Sequence, residues 1–203
     1  MKTAFCLFEH SKVFANLLLD SGYNTVSVDL KLGVDIMTFD YKKYNNVCFI
    51  IAHPPCTEFA VSGARWWANK PKELLQQSIT LVNKTLEIID YHKPKVFFVE
   101  NPIGRISKCV PRLNQLDKYI FNPYEFAGYS DESEAYSKKT VLYGKFNNPI
   151  KKPLPNLLGS KMWSLGWVTE KVQEERSITP IGFAKAFVKS NANTEIISQL
   201  TIF

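Results

Sequence analysis

The sequence has no long run of apolar residues. No stretch reaches the roughly 20 consecutive apolar residues that a membrane-spanning helix needs. The N-terminus MKTAFCLFEHS becomes polar too early for a signal peptide. We therefore expect a soluble, cytoplasmic protein that has no membrane partner.

Cysteine is also scarce. The four cysteines, Cys6, Cys48, Cys56 and Cys109, lie far apart and form no CxxC pair. This spacing argues against a disulfide framework and against a structural zinc site. The thiols are expected to be reduced, and no metal ligands are predicted.

Low-complexity linkers and internal repeats are absent as well. The chain has 203 residues, 45% of them hydrophobic, which is enough to bury one sizeable core. We predict a single domain over residues 1–203.

Arginine is much rarer than lysine. The chain has 21 Lys and only 4 Arg, with a formal net charge of +6. The lysines are spread along the chain as KK or K-x-K fragments. Such a surface suits a polyanionic partner, such as a nucleic acid or a nucleotide, but it equally suits an ordinary solvated surface.

Apolar runs alternate with helical patterns up to residue 101. The periodicity predicts strands at 3–8, 24–30, 47–53 and 95–101, and helices at 11–22, 71–92 and 179–190. In the first helix, Ser11 is the predicted N-cap and Gly22 lies just past the end. The segment from about 103 to 175 is predicted to be irregular and to face the substrate.

This alternation predicts an α/β fold with a doubly wound, mostly parallel sheet. In such sheets ligands bind beyond the carboxyl ends of the strands. The residues that follow each strand are therefore the first candidates for a functional site.

Cys56 directly follows the predicted strand at 47–53, behind two prolines that stiffen the turn. A lone cysteine is usually a small core residue. The polar, loop-like sequence HPPCTEFAVSG favours a functional thiol instead. Cys6 and Cys48 lie inside apolar runs and are predicted to belong to the core.

Glu100 and Asn101 end the next predicted strand, at 95–101. A carboxylate after FFV would be partly desolvated, which is expected to raise its pKa towards the range useful for proton donation. The alternative is a helix cap or a surface acid. Paired with Cys56, Glu100 would complete a nucleophile and a general acid.

Several motifs, in this order, resemble one known family. PPCTEFAVSGARWW, VENPIGRIS, NPYEFAG, SKKTVLYG and RSITPIGFAKAFV are similar to a compact, phage-type DNA cytosine-5 methyltransferase-like family. The resemblance implies a Rossmann-like sheet of the S-adenosylmethionine-dependent methyltransferase type. It also implies S-adenosylmethionine as cofactor, and DNA or a pyrimidine nucleotide as partner.

The same resemblance implies a mechanism. The Cys56 thiolate would add to carbon 6 of cytosine while Glu100 protonates ring nitrogen 3, and carbon 5 would then take the methyl group. Asn101 would steady the loop on the substrate side, and Pro54 and Pro55 would position the thiol. A base in a duplex must be flipped out to reach such a pocket.

For the cofactor, the resemblance implies contacts from Phe8, Glu9, Asp29, Asp35 and Pro54. The turn after the first predicted strand has no glycine where the family has several, which implies a differently shaped pocket. Asp29 would accept hydrogen bonds from ribose hydroxyls, or else cap the strand end. Asp35 would contact the adenine amino group, with Asp40 as the competing candidate.

For the substrate, the resemblance implies contacts from Lys139 and Arg176, and Arg176 could equally support the fold. Arg65 stands beside Trp66 and Trp67 in a loop that could stack on a base. The tryptophans could instead fill the core.

About thirty residues, 145–175, stand where sequence-reading members of the family carry a large target-recognition region. So short a segment predicts low sequence specificity, or a separate specificity subunit. Three hypotheses remain open: a DNA cytosine-5 methyltransferase, an enzyme acting on pyrimidine nucleotides or single-stranded nucleic acid, and a catalytically silent module that binds nucleotides or nucleic acid.

Overall fold

A computed structural model describes residues 1–160, 172, 175 and 177–193. The strands in these ranges are β1 (Thr3–Leu7), β2 (Asn24–Val28), β3 (Val47–Ala52), β4 (Val96–Pro102), β5 (Asp117–Phe121) and β6 (Thr140–Lys145). The α-helices whose bounds lie within the described residues are α1 (Val13–Asp20), α2 (Lys72–His92), α3 (Ile106–Cys109) and α4 (Ile181–Asn191).

The strands form one sheet in the order β2-β1-β3-β4-β6-β5. Strands β1 to β4 are parallel, and β6 is antiparallel to both β4 and β5. The predicted mostly parallel sheet is confirmed. Strand β2 lies on one side of β1 and β3 lies on the other, so the strand order reverses between β1 and β3 at a switch point, where α/β sheets bind ligands.

Strand β5 was not predicted, because it lies within the segment expected to be irregular. Asp117 and Lys118 are exposed and Ile120 is 46% exposed, whereas Phe121 is buried. As an edge strand, β5 pairs only with β6. A strand with so little buried surface leaves almost no apolar alternation in the sequence.

Helices cover both faces of the sheet. On one face, α1 and α4 contribute Phe14, Phe183 and Phe187, which join a buried cluster with Phe98 of β4. On the other face, α2 contributes buried residues such as Val82, Leu86 and Ile89. This two-sided arrangement is the predicted doubly wound architecture.

The predicted helix over 71–92 corresponds to α2, but its first turn is exposed: Leu74 is 41% exposed. Ser78 is the first buried residue of α2. None of the helices in the described ranges is long and apolar enough to cross a membrane.

The start of α1 differs from the prediction. Lys12, not Ser11, is the N-cap residue, and it makes no side-chain capping bond. The buried carboxylate of Glu9 caps the helix instead, accepting hydrogen bonds from the backbone N–H of Phe14 (2.6 Å) and of Ala15 (3.2 Å). The Glu9 side chain spans the turn before α1 and accepts from free N–H groups in the first turn of the helix. It thereby takes the capping role that the sequence predicted for Ser11.

Lys12 has a left-handed backbone with φ of 57°, a conformation that is strained for residues with a Cβ atom. We expect Lys12→Gly to stabilise the protein by about 0.5 to 1 kcal/mol, because glycine relieves this strain. Urea denaturation measures the change. Lys72→Gly, at the exposed start of α2, is the matched control, and it should lower the stability. A loss of stability in Lys12→Gly would contradict the assigned backbone conformation.

Candidate active site

A cleft lies at the carboxyl ends of β3 and β4, where the fold predicts a ligand site. Its lining comes from the residues that follow β3, from β4, β5 and β6, and from the start of α4: His53, Glu100, Phe121, Lys138, Thr140, Ser177, Ile178, Thr179, Pro180 and Phe183.

Glu100 and His53 are in direct contact inside this cleft. The Nδ1 atom of His53 lies 3.2 Å from Oε2 of Glu100, and their side chains are only 11% and 15% exposed, His53 first. Burial raises the pKa of Glu100, but the hydrogen bond with His53 and the positive charge of Lys138 outweigh burial, so the pKa is lowered. The prediction of a raised pKa was wrong, because the sequence pattern did not identify these two partners.

Cys56 is partly exposed and shares the electrostatic environment of Glu100. Burial and the carboxylate of Glu100 raise the pKa of the Cys56 thiol, and the positive charge of Lys138 opposes the rise. The fold therefore brings together the two motifs that the sequence analysis paired. A thiol with a raised pKa is mostly protonated at neutral pH, so it needs help to become a nucleophile.

The loop that carries Cys56 is fastened to the segment after β4. Val61 N–H donates to the carbonyl of Ile103 (2.9 Å), and Arg105 N–H donates to the carbonyl of Phe59 (2.8 Å). A Cβ atom on Gly104 would lie only 1.8 Å from the carbonyl oxygen of Phe59. The two backbone segments can therefore approach this closely only because residue 104 is a glycine.

The basic aromatic loop divides into two parts. The guanidinium of Arg65 lies 5.1 Å from the ring centre of Trp66, and Trp66 is 54% exposed. Trp67 is half-buried, and the guanidinium of Arg105 lies 4.1 Å from its ring centre. Trp66 is thus open to a partner, whereas Trp67 packs against the segment after β4.

Lys138, rather than the predicted Lys139, lines the cleft. The side chain of Lys139 is exposed. The side chains of adjacent residues point in different directions, so the sequence pattern could not show whether Lys138 or Lys139 lines the cleft. Arg176 lies outside the described residues, while Thr179 from the same motif is 7% exposed and lines the cleft.

Asn101 is completely buried, and its amide has no hydrogen-bond partner among the described residues. It shares a face of β4 with Val99, towards α2, whereas Glu100 shares the other face with Phe98. This places Asn101 behind the cleft rather than in its lining.

The predicted cofactor residues gather at the ends of β1, β2 and β3. Phe8 has a left-handed backbone with φ of 59°, and its N–H donates to the carbonyl of Val28 (2.7 Å). One carboxylate oxygen of Asp29 accepts from Lys31 N–H (2.8 Å), so the strand-end cap is observed. Pro54 is buried.

Asp35 lies in the loop that follows β2. One of its carboxylate oxygens accepts from Met37 N–H (2.9 Å). Beside the two aspartates, Leu30 is 75% exposed and Met37 is 45% exposed. The edge of the sheet next to the cleft therefore combines carboxylates with exposed apolar side chains.

The fold is similar to that of a solved methyltransferase structure. A prophage-encoded Escherichia coli protein described as a DNA modification methyltransferase superposes with a TM-score of 0.50 at 10% identity. The alignment covers 84% of this chain and 56% of that chain. The Dnmt2 methyltransferase of S. pombe aligns with a TM-score of 0.42 at 13% identity, covering 71% of this chain and 48% of that one.

Sequence comparison identifies the family. The family described as C-5 cytosine-specific DNA methylase matches residues 24–133, more than half of the chain. The chain belongs to this family of methyltransferases. A probable DNA (cytosine-5)-methyltransferase of Frog virus 3 (isolate Goorha) is 29% identical over 136 residues, covering 60% of each sequence. The chain thus spans about 60% of the viral relative's length.

The contrast between the two neighbouring lysines gives a matched test of the site. In Lys138→Gln, loss of the positive charge raises the pKa of Cys56 further, so at neutral pH we expect alkylation of Cys56 to slow by roughly threefold to tenfold. Lys139→Gln should change it little. In the unmodified protein the alkylation rate of Cys56 should keep rising to a higher pH than the rate of an ordinary thiol, because the pKa of Cys56 is raised.

Peptide mass spectrometry after timed iodoacetamide treatment, over a series of pH values, measures this rate. Equal rates in the two variants would contradict the assignment of Lys138 to the environment of Cys56.

Proposed function

We propose that this protein transfers a methyl group from S-adenosylmethionine to carbon 5 of cytosine in DNA, through a covalent adduct on Cys56. The observation that carries the proposal is the joint electrostatic environment of Cys56, Glu100 and Lys138 beside a cleft at the ends of β3 and β4. It supplies a nucleophile, an acid and a cation in one place.

Each of these residues has a distinct task. Lys138 stabilises the thiolate of Cys56, which bonds to carbon 6 of the base. Glu100 holds ring nitrogen 3 and delivers a proton to it, because the adduct is electron-rich. The carbon-5 proton then passes to a water molecule, and the thiolate leaves again.

The cofactor residues fit S-adenosylmethionine in chemical type. Asp29 would accept hydrogen bonds from ribose hydroxyls with the carboxylate oxygen that does not cap Lys31, and Asp35 would accept from the adenine amino group. The exposed side chains of Leu30 and Met37 would cover the adenine ring, with Phe8 and Pro54 closing the pocket. When bound, the cofactor supplies the methyl group.

Glu9 would act on the cofactor side indirectly. Its carboxylate is buried and bonded to the start of α1, so it would hold the turn after β1 in shape. Asn101, buried behind Glu100, would likewise fix β4 rather than bind the base.

Arg65 and Trp66 would contact DNA, since a cation beside an exposed aromatic ring can bind a phosphate and stack on a base. Lys139 would add a phosphate contact at the surface, and we assign Arg176 a substrate contact as well. Residues 146–160 contain no helix or strand, which supports low sequence specificity or a separate specificity subunit.

The test of this proposal is transfer of a tritiated methyl group to duplex DNA, single-stranded DNA and free pyrimidine nucleotides. Product with 5-methylcytosine in DNA is the expected result. Calorimetry with S-adenosylmethionine tests the cofactor separately. Binding of DNA with no cofactor binding at millimolar concentration would point to a catalytically silent module.

A second candidate function is methylation of a pyrimidine nucleotide or of single-stranded nucleic acid. The short segment between β6 and α4 favours it, because such substrates need neither a large recognition surface nor base flipping from a duplex. Transfer to free dCMP but not to DNA would replace the first proposal with this one.

A further inference from the structure

His53 is the titratable residue of the cleft that the steps above leave without a task. Its Nδ1 atom contacts Glu100 at 3.2 Å, and its charge also acts on Glu9. Burial raises the pKa of Glu9, and the charge of His53 opposes that rise. The imidazole thus interacts with one carboxyl group on the substrate side and one on the cofactor side.

Apolar packing holds the His53 ring in place. Its centre lies 5.8 Å from the ring centre of Phe14 and 5.5 Å from that of Phe98. The Nε2 atom is buried and has no hydrogen-bond partner in the part of the chain that the structure describes. A buried polar atom without a partner costs stability, which points to a role other than stabilising the fold.

We propose that His53 is a positioning residue that orients Glu100 and supplies the proton which Glu100 passes to ring nitrogen 3 of the base. The inference rests on the function proposed above and deepens it. It names the group from which Glu100 receives the proton for ring nitrogen 3. The sequence motifs did not identify that group.

The proton transfers balance. In the reactive state, Cys56 is a thiolate that has lost its proton to solvent, both ring nitrogens of His53 carry a proton, and Glu100 is a carboxylate. The proton moves from Nδ1 to Glu100, and the resulting carboxylic acid gives a proton to ring nitrogen 3 as the Cys56 sulfur bonds to carbon 6. His53 ends neutral, Glu100 ends as a carboxylate and the adduct holds the proton. Breakdown of the adduct reverses both transfers.

The electrostatics of the cleft explain why such a source is needed. The pKa of Glu100 is lowered by its contact with His53 and by Lys138, against the effect of burial, so Glu100 is ionised at neutral pH. An imidazole ordinarily keeps its proton to higher pH than a carboxyl group does. The pair can therefore deliver a proton at pH values where Glu100 alone cannot. Among the described residues, the other charged or titratable groups that interact with this pair are Cys56, Lys138 and Glu9.

The test is the pH profile of kcat for His53→Gln, since glutamine can still donate a hydrogen bond to Glu100 but has no proton to release. We expect the alkaline limb to move to lower pH, so that the loss of kcat is at least about tenfold greater at pH 8 than at pH 6. KM for DNA should stay within about twofold. His92→Gln, which replaces a histidine bonded to the Tyr41 carbonyl, should leave the profile unchanged. Loss of kcat by the same factor at every pH would reduce His53 to a structural residue and overturn the inference.

A second readout does not depend on activity. Carbon-13 NMR titration of the glutamate carboxyl groups should give a higher pKa for Glu100 in His53→Ala than in the unmodified protein. No change would overturn this inference alone. If Glu100 responds as expected but the unmodified protein methylates none of the substrates, the proposed function fails, and the delivery of a proton to the base fails with it.

Discussion

Replacing Cys56 with alanine is expected to reduce methyl transfer by at least about a thousandfold, because the reaction loses the nucleophile that activates the base. Binding of S-adenosylmethionine should be nearly unchanged, since the thiol adds nothing to the assigned cofactor contacts. The measurements are single-turnover methyl transfer and calorimetry on the same preparation.

Cys48→Ala is the matched control, because Cys48 is a partly buried cysteine of β3 outside the cleft lining. We expect it to keep activity within about threefold, with at most a modest loss of stability. Substantial methyl transfer by Cys56→Ala would mean that the base is activated without this thiol.

Gly104→Ala is expected to destabilise the protein by about 2 kcal/mol or more and to lower activity strongly. The added Cβ atom would lie 1.8 Å from the carbonyl oxygen of Phe59, so the loop that carries Cys56 must separate from the segment after β4. The hydrogen bonds of Val61 and Arg105 across this contact would weaken together. Urea denaturation and methyl transfer measure the two effects.

Gly63→Ala tests the same loop without the clash. A Cβ atom there would meet the carbonyl oxygen of Thr57 at 3.7 Å, an ordinary contact. We expect a stability change below about 0.5 kcal/mol and little loss of activity. Equal effects of the two substitutions would contradict the close packing assigned to Gly104.

The sequence was sufficient to predict the parallel core of the fold. Strands β1, β3 and β4 are mostly buried and rich in apolar residues, β2 contains β-branched residues, and α2 and α4 have clear helical periodicity. The edge strand β5 escaped prediction because its side chains are mostly exposed. The cap of α1 escaped because Glu9 acts across a turn whose backbone, with positive φ at Phe8 and Lys12, has no glycine to mark it.

The part of the site that lies at the carboxyl ends of the strands could be predicted from the sequence. Cys56 follows β3, and Glu100 lies near the carboxyl end of the adjacent parallel strand β4, so their proximity follows from the sheet order. His53 and Lys138 were not assigned roles, because their importance lies in contacts with Glu100 and Cys56 that no local pattern encodes. For the same reason the direction of the pKa shift of Glu100 could not be predicted from burial alone.

The central claim is that Cys56 becomes covalently bonded to carbon 6 of the base. Its most direct test is incubation of the protein with S-adenosylmethionine and DNA that contains 5-fluorocytosine, which cannot release the adduct, followed by intact-mass and peptide analysis. A stable protein–DNA complex linked through the peptide that contains Cys56 is the expected result. Methylation of ordinary DNA without any such complex, or a complex linked through another residue, would contradict it.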